Sequence, residues 1–305
     1  MASRTSVHAG ALPIERPSPR AGRRRTGRSR PADALVCVVL AVSGVTMIGP
    51  LVWMFATSLK SFQELYVWPP QLLPATPLWA NYAYAWTFVP FERFFVNSVV
   101  VSVTVTLGEL VTSSLAGYVF ARMRFPGRDR LFLLYLATLM IPGQVLIVPL
   151  YVVIRSLGWL DTYAALIVPW LASAYGTFLI RQYMLTLPRE LEDAARVDGA
   201  NHWTIYSRII LPLCGPALAT LAVLTFLANW NSFLWPLIMT NRETMRTVPI
   251  GLAYFTAAPE QSRMRFGQWQ LYMAAATFSM LPTLTVFLAA QRYFVRGVVL
   301  SGLKG

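Results

Sequence analysis

Groups able to do bond chemistry are scarce in this sequence. The histidines are His8 and His202, the cysteines Cys37 and Cys214, and neither histidine has a cysteine or second histidine at metal-ligand spacing. Both cysteines lie in or beside apolar runs, which suits packed, reduced thiols and no disulfide framework. The only lysines, Lys60 and Lys304, each follow a leucine, so the Gly-Lys pair of a phosphate-binding loop is missing. Catalysis, metals and cofactors are therefore not expected of this chain, and any ATP hydrolysis that drives it must occur on another.

Two sets of groups could still handle a ligand without catalysis. Glu109 is the one acid well inside an apolar run. A carboxylate near the centre of a bilayer costs about 3 kcal/mol, so it must face protein or water. It either lines a path as a hydrogen-bond acceptor or joins two helices. Further on, Asn229, Trp230, Asn231 and Trp235 place two amides and two indoles within two turns. Amides and aromatic faces suit the hydroxyls and C–H faces of a sugar, while an aromatic belt at the membrane interface accounts equally for Trp235.

The elements that hold these groups follow from hydropathy. The chain has 305 residues, 56% hydrophobic and 13% charged, against about 25% charged in soluble domains. Six apolar runs, at about 34–55, 95–121, 131–154, 164–180, 209–240 and 271–290, approach the roughly 20 residues that a helix needs to cross a bilayer. Lipid leaves no partner for an open strand, so each run predicts an α-helix. The fold class expected is all-α, a polytopic membrane protein with six transmembrane helices.

The net charge of +13 is explained by where it sits. Nineteen of the 26 Lys and Arg fall in residues 1–33, 122–130, 181–208 and 292–305, which alternate with the remaining loops. The positive-inside bias then puts both termini in the cytoplasm and leaves nucleic acid without a role. Residues 1–33 hold eight arginines among Pro, Ser and Gly, a composition expected to stay disordered, with anionic lipid within reach. The opposite face carries a loop, 58–93, rich in Trp, Tyr and Pro, which suits interfacial anchoring more than ligand binding. Pro142 and Pro149 in the third run and Pro169 in the fourth predict kinks or breaks. Such breaks are either packing features or parts that line a path and move.

Between the fourth and fifth runs, Leu187-Pro188-Arg189-Glu190-Leu191-Glu192-Asp193-Ala194-Ala195-Arg196-Val197-Asp198-Gly199-Ala200 reads as a short helix. Proline stands at its start, acids fill its first turn and glycine ends it. Small Ala194 and Ala195 permit close approach by another protein, and Gly199 permits a sharp bend into a second helix through Ile209, Leu211 and Pro212.

This segment resembles the E-A-A loop of the membrane subunits of bacterial ABC importers: E-A-A, three residues, G, nine residues, I-x-L-P. Asp193-Ala194-Ala195, Gly199 and Ile209-x-Leu211-Pro212 meet every spacing, with Asp193 in the usual Glu position after Glu192. Ala121 to Arg128, Met140 to Gln144, Trp230-Asn231 with Phe233 to Leu237, and Gln291 to Gly297 are similar to the carbohydrate branch, the maltose and glycerol-3-phosphate permeases. The resemblance runs from about residue 35 to the C-terminus.

It implies a permease subunit of a binding-protein-dependent importer in the bacterial inner membrane. Its partners would be a second permease subunit in a heterodimer, two cytoplasmic ATPase subunits and an extracellular or periplasmic solute-binding protein. The substrate would be a sugar, an oligosaccharide or glycerol phosphate. The loop would be a cytoplasmic coupling helix, with Glu192, Asp193, Ala194, Ala195, Asp198, Gly199, Ala200, Ile209, Leu211 and Pro212 in the ATPase-coupling site. Pro249, Gly251, Tyr254 and Phe255, in the loop 241–270, would contact the binding protein, and the tail 297–305 would reach the ATPase. A proton-coupled secondary transporter is the rival, but it would carry several ionisable groups at mid-membrane where only Glu109 stands. A membrane enzyme lacks its catalytic cluster.

Overall fold

The computed structural model describes residues 30–256 and 268–301, without the side chains of 30–33 and 292–301. The basic tail expected over 1–33 therefore lies outside the described residues, apart from its last four. So do the middle of the loop 241–270 and the end of the tail 297–305. Among the described residues all regular structure is helical.

The chain divides into two units, 1–49 and 50–305. The first contributes most of α1 (Arg30–Ser58), a helix unbroken at Pro50. In the second, α2 (Ala80–Phe88) precedes α3 (Phe91–Arg122), the long helix on which the unit is built. Next come α4 (Arg128–Ala137), α5 (Gly143–Ser156), α6 (Tyr163–Ile167) and α7 (Ala174–Leu185). The short α8 (Glu190–Val197) is followed by α9 (His202–Thr204), a π-helical turn at Ile205–Ile210, and α10 (Leu211–Leu213). Finally α11 (Gly215–Trp230), α12 (Leu234–Met239), α13 (Val248–Thr256) and α14 (Trp269–Ser301) complete the chain.

Among the described residues four helical stretches are long and apolar enough to cross a membrane, or up to six if each of two bent pairs is one span. The third expected span is one bent pair: Arg128–Met140 meets Gly143–Ser156 at 97°. The break falls at Ile141-Pro142, whose extended ψ values end the helix, whereas α5 runs on through Pro149. Pro169 sits in a 3-10 turn between α6 and α7. The stretch expected as one span over 209–240 is divided. His202–Leu213 meets Gly215–Trp230 at 74°, and α12 is separate. Pro212 and Pro216 each remove a backbone donor beside Gly215, and a continuous run of apolar residues hides that interruption.

Helix α3 passes through three buried cores. At one end Phe91 and Phe94 pack with Phe226, Trp230 and Phe255; in the second core Val101 and Val105 meet Leu166, Trp235 and Met239. At the other end Tyr118 and Ala121 meet Ile180, Met184, Tyr206 and Ile210. Lipid supplies no hydrophobic drive between helices, so small residues and polar links hold them. Accordingly α3 buries Asn97, Ser98, Ser102, Ser113 and Gly117 on its packed side. A Cβ at Gly117 would stand 3.2 Å from the backbone nitrogen of Arg181, and one at Gly176 would strike Ser113, so glycine lets α3 and α7 touch.

Candidate functional site

The corner after α8 is closed by hydrogen bonds its sequence makes available. Ala200 N donates to Ala195 O at 2.9 Å and Gly199 N to Arg196 O at 3.0 Å, with Gly199 at φ +83°. This is the Schellman ending, and the left-handed conformation at its turn favours glycine. Two residues later the Asn201 side chain accepts the Thr204 amide at 2.8 Å and starts the next helix. Three acids, Glu190, Glu192 and Asp193, occupy the first turn of α8, where the helix dipole favours them.

Two faces of α8 do different work. Ala195 and Ala200 turn inward and pack on the core beneath, with Ile209, Leu211 and buried Ile210. Glu192 also points inward, and its Oε1 lies 2.7 Å from Arg122 Nε with both side chains 3% exposed. The contact is one of charge more than of aligned hydrogen bonding. Arg122 further donates to the Leu187 carbonyl at 2.9 Å, and Arg196 reaches Asp193 at 2.8 Å and Glu192 at 3.5 Å. The last residue of α3 is thereby bound to both the approach and the first turn of α8. Outward, Leu191, Ala194 and Asp198 are exposed; Val197 is 89% exposed and Trp203, whose ring also meets Tyr206, 65%.

The other predicted residues scatter. Glu109 is 8% exposed, and its Oε2 accepts from the Thr225 hydroxyl at 2.9 Å, while Oε1 faces Gly176. It links α3, α7 and α11. Trp230 donates to the Ser279 carbonyl at 3.0 Å in one core and Trp235 to the Ala165 carbonyl at 3.1 Å in another, so neither indole is open to a permeant. Asn229 is half-buried and Asn231 exposed, each amide donating to a carbonyl one turn back in α11. In α13, Gly251 and Phe255 are core residues: a Cβ on Gly251 would collide with the Phe94 ring, and Phe255 stacks on Phe88. Pro249 and Tyr254 are half-buried and retain surface.

Residues 113–300, which contain the α8 corner, match the family model described as the binding-protein-dependent transport system inner membrane component. The chain is also 37% identical over 276 residues, 88% of its length and 97% of the relative's, to the sn-glycerol-3-phosphate transport system permease protein UgpE of Pectobacterium atrosepticum. The chain belongs to this permease family. The relative of the same name from Agrobacterium fabrum (strain C58) is 36% identical over 89% of this chain and 98% of its own. Among solved structures, this permease resembles a bacterial ABC transporter involved in the import of the acidic polysaccharide alginate. That match has a TM-score of 0.78 and 22% identity, over 88% of this chain and 98% of that one. A second structure, of a bacterial alginate ABC transporter in complex with an alginate pentasaccharide-bound periplasmic protein, matches with TM-score 0.61 and 16% identity over 85% of this chain and 93% of that one. Both support the fold.

In this permease the residues that sequence reasoning passed over are Arg122, Leu191, Val197 and Trp203. Arg122 is visible in the sequence as part of a basic loop and of the stretch Ala121 to Arg128, and its pairing is not, because its partner Glu192 lies 70 positions away. The exposed apolar residues could have been sought on a helical wheel of α8: Val197 and Ala194 fall on the side away from Glu192 and Ala195, with Leu191 at the border between the two.

Proposed function

We propose that this chain is the permease subunit of a binding-protein-dependent ABC importer, forming half of the path for a sugar, oligosaccharide or glycerol phosphate. The α8 corner docks on a separate ATPase on the cytoplasmic side, where both termini also lie. A second permease subunit completes the path, and a solute-binding protein delivers substrate to the opposite face, where Pro249 and Tyr254 keep surface.

The observation that carries this reading is the two-sided α8. Its outer side offers Leu191 and Val197 to a partner, with Trp203 of α9 exposed beyond the corner, and its inner side is tied through Glu192 and Arg122 to α3. A push on α8 would be passed to α3, which runs the length of the membrane-spanning unit and packs on α7 and α11. Substrate contact falls to Asn231 and Asn229, with Glu109, Trp230 and Trp235 holding the walls. The UgpE relatives, named as sn-glycerol-3-phosphate permeases, favour a small phosphorylated polyol or a sugar over other solutes.

The test is Val197→Asp in the complete transporter. Val197 is exposed, so the variant folds and inserts, but an unpaired carboxylate buried at the interface costs several kcal/mol. The ATPase should be lost on purification, and uptake with it. Full retention of both would overturn the docking role.

A further inference from the structure

A cleft of about 720 Å³ opens at the start of α8, lined by Arg124, Arg128, Arg130 and Arg189 with Asp129 and Phe125. Four arginines against one aspartate leave three net positive charges. The aspartate is already taken: Arg128 binds Asp129 through Nε at 2.9 Å and Nη2 at 3.3 Å, and also donates to the Met123 carbonyl. No carboxylate among the described residues pairs with Arg124, Arg130 or Arg189. An adjoining cleft shares Arg124 and Arg189, but there Arg122 and Arg196 are neutralised by Glu192 and Asp193. The unmet positive charge is therefore concentrated in the first cleft.

The cleft sits where α3 ends and α4 begins. Gly127, at φ +80°, turns the chain between them with open space around it, which sets Arg124 and Arg128 on the same hollow. From that hollow α4 climbs as the first half of a bent span, and Leu131, Leu133 and Leu134 on it are all exposed. At 1.5 Å per residue, Leu134 stands only about 6 Å along the helix from Arg130. Positive charge and lipid-facing hydrocarbon surface are thus contiguous.

We propose that this cleft is a binding site for an anionic phospholipid, the phosphate held by Arg124, Arg130 and Arg189 and an acyl chain laid along the leucines of α4. Guanidinium forks match phosphate oxygens, and basic pockets at the membrane surface select anionic headgroups. Inorganic phosphate would use the arginines but not the leucines. An acidic segment of a partner protein would likewise leave Leu133 and Leu134 unused. The proposal rests on the chain spanning a membrane, and on nothing it transports.

The experiment is native mass spectrometry of the purified chain in uncharged detergent with phosphatidylglycerol or phosphatidylcholine of matched acyl chains. Phosphatidylglycerol should be retained at least about ten-fold better. Arg124→Gln and Arg130→Gln should each lower its retention about five-fold. Arg208→Gln removes the same charge from outside the cleft and should change retention less than two-fold. Inorganic phosphate at a hundred-fold excess should not displace the lipid. Equal retention of the two lipids by the unaltered chain overturns the proposal without recourse to any variant. So does displacement by inorganic phosphate, which assigns the cleft to a free anion. Loss of the ATPase from the complete transporter in Arg124→Gln with lipid retention unchanged would assign it to a protein partner and overturn it equally. Loss of ATPase binding in Val197→Asp leaves lipid selectivity as it is, so the two readings fail separately.

Discussion

Replacing Arg122 by methionine strands the Glu192 carboxylate in a site where 3% of it reaches solvent. Breaking a buried pair by removing one partner costs about 3–5 kcal/mol, most of it the penalty of a charge left without compensation. Glu192 would keep Arg196, at 3.5 Å and with its side chain 45% exposed, which places Arg122→Met near the lower figure. Glu192→Met leaves the buried Arg122 guanidinium with the Leu187 carbonyl alone, nearer the upper figure. The double variant Arg122→Met with Glu192→Met removes both charges and fills the space with hydrocarbon, so it should lie within about 1 kcal/mol of the unaltered chain. Reversible unfolding in mixed detergent micelles measures all four proteins, and, on the docking role proposed above, retention of the ATPase reports the position of α8. Each single variant should shed the ATPase and the double variant should recover it. Single variants within about 0.5 kcal/mol of the unaltered chain, or a double variant no better than the worse single, would refute the buried link between α3 and α8.

Other perturbations separate structural from functional roles. Gly176→Val would drive a side chain into Ser113 and Glu109 at the α3–α7 contact; it should abolish accumulation of folded chain, read by size-exclusion of the membrane extract. Glu109→Gln keeps an acceptor for the Thr225 hydroxyl and should transport normally, whereas Glu109→Leu leaves that hydroxyl unpaired and should lose about 1–3 kcal/mol of stability. In the loop after α1, the Glu64 carboxyl is held below the usual carboxylate range, chiefly because it accepts the Ser61 amide at 2.8 Å, with the Ala75 amide at 3.1 Å also contributing. A depressed carboxyl stabilises above its unfolded value and ceases to as pH falls through its folded one. The protection factors of the Ser61 and Ala75 amides, each exchange rate referred to the intrinsic rate at the same pH, should therefore fall on acidification below the ordinary carboxylate range and stay constant above it.

The residues around α8 were readable because local rules act there. Proline, first-turn acids and Gly199 specify a helix and its end within a dozen positions, and the Schellman bonds are the physical result. The spans were readable as hydropathy, and the turn at Ile141-Pro142 as proline chemistry. What stayed hidden depended on distance or on turns inside apolar sequence. The bend beside Gly215-Pro216 leaves no trace in hydropathy. For the indoles of Trp230 and Trp235 the sequence leaves ligand contact and an aromatic belt both open, because the carbonyls their donors reach, on Ser279 and Ala165, lie 49 and 70 positions away. Gly251 in the same way looked like a loop glycine, and it is where α13 seats against the Phe94 ring.

Uptake by proteoliposomes tests the central claim most directly. Vesicles carrying this chain with the companion permease, ATPase subunits and binding protein of the proposed importer should accumulate solute only when ATP is supplied on the α8 side, and should do so with no proton gradient. Accumulation by vesicles that hold this chain alone, without nucleotide, would contradict the account.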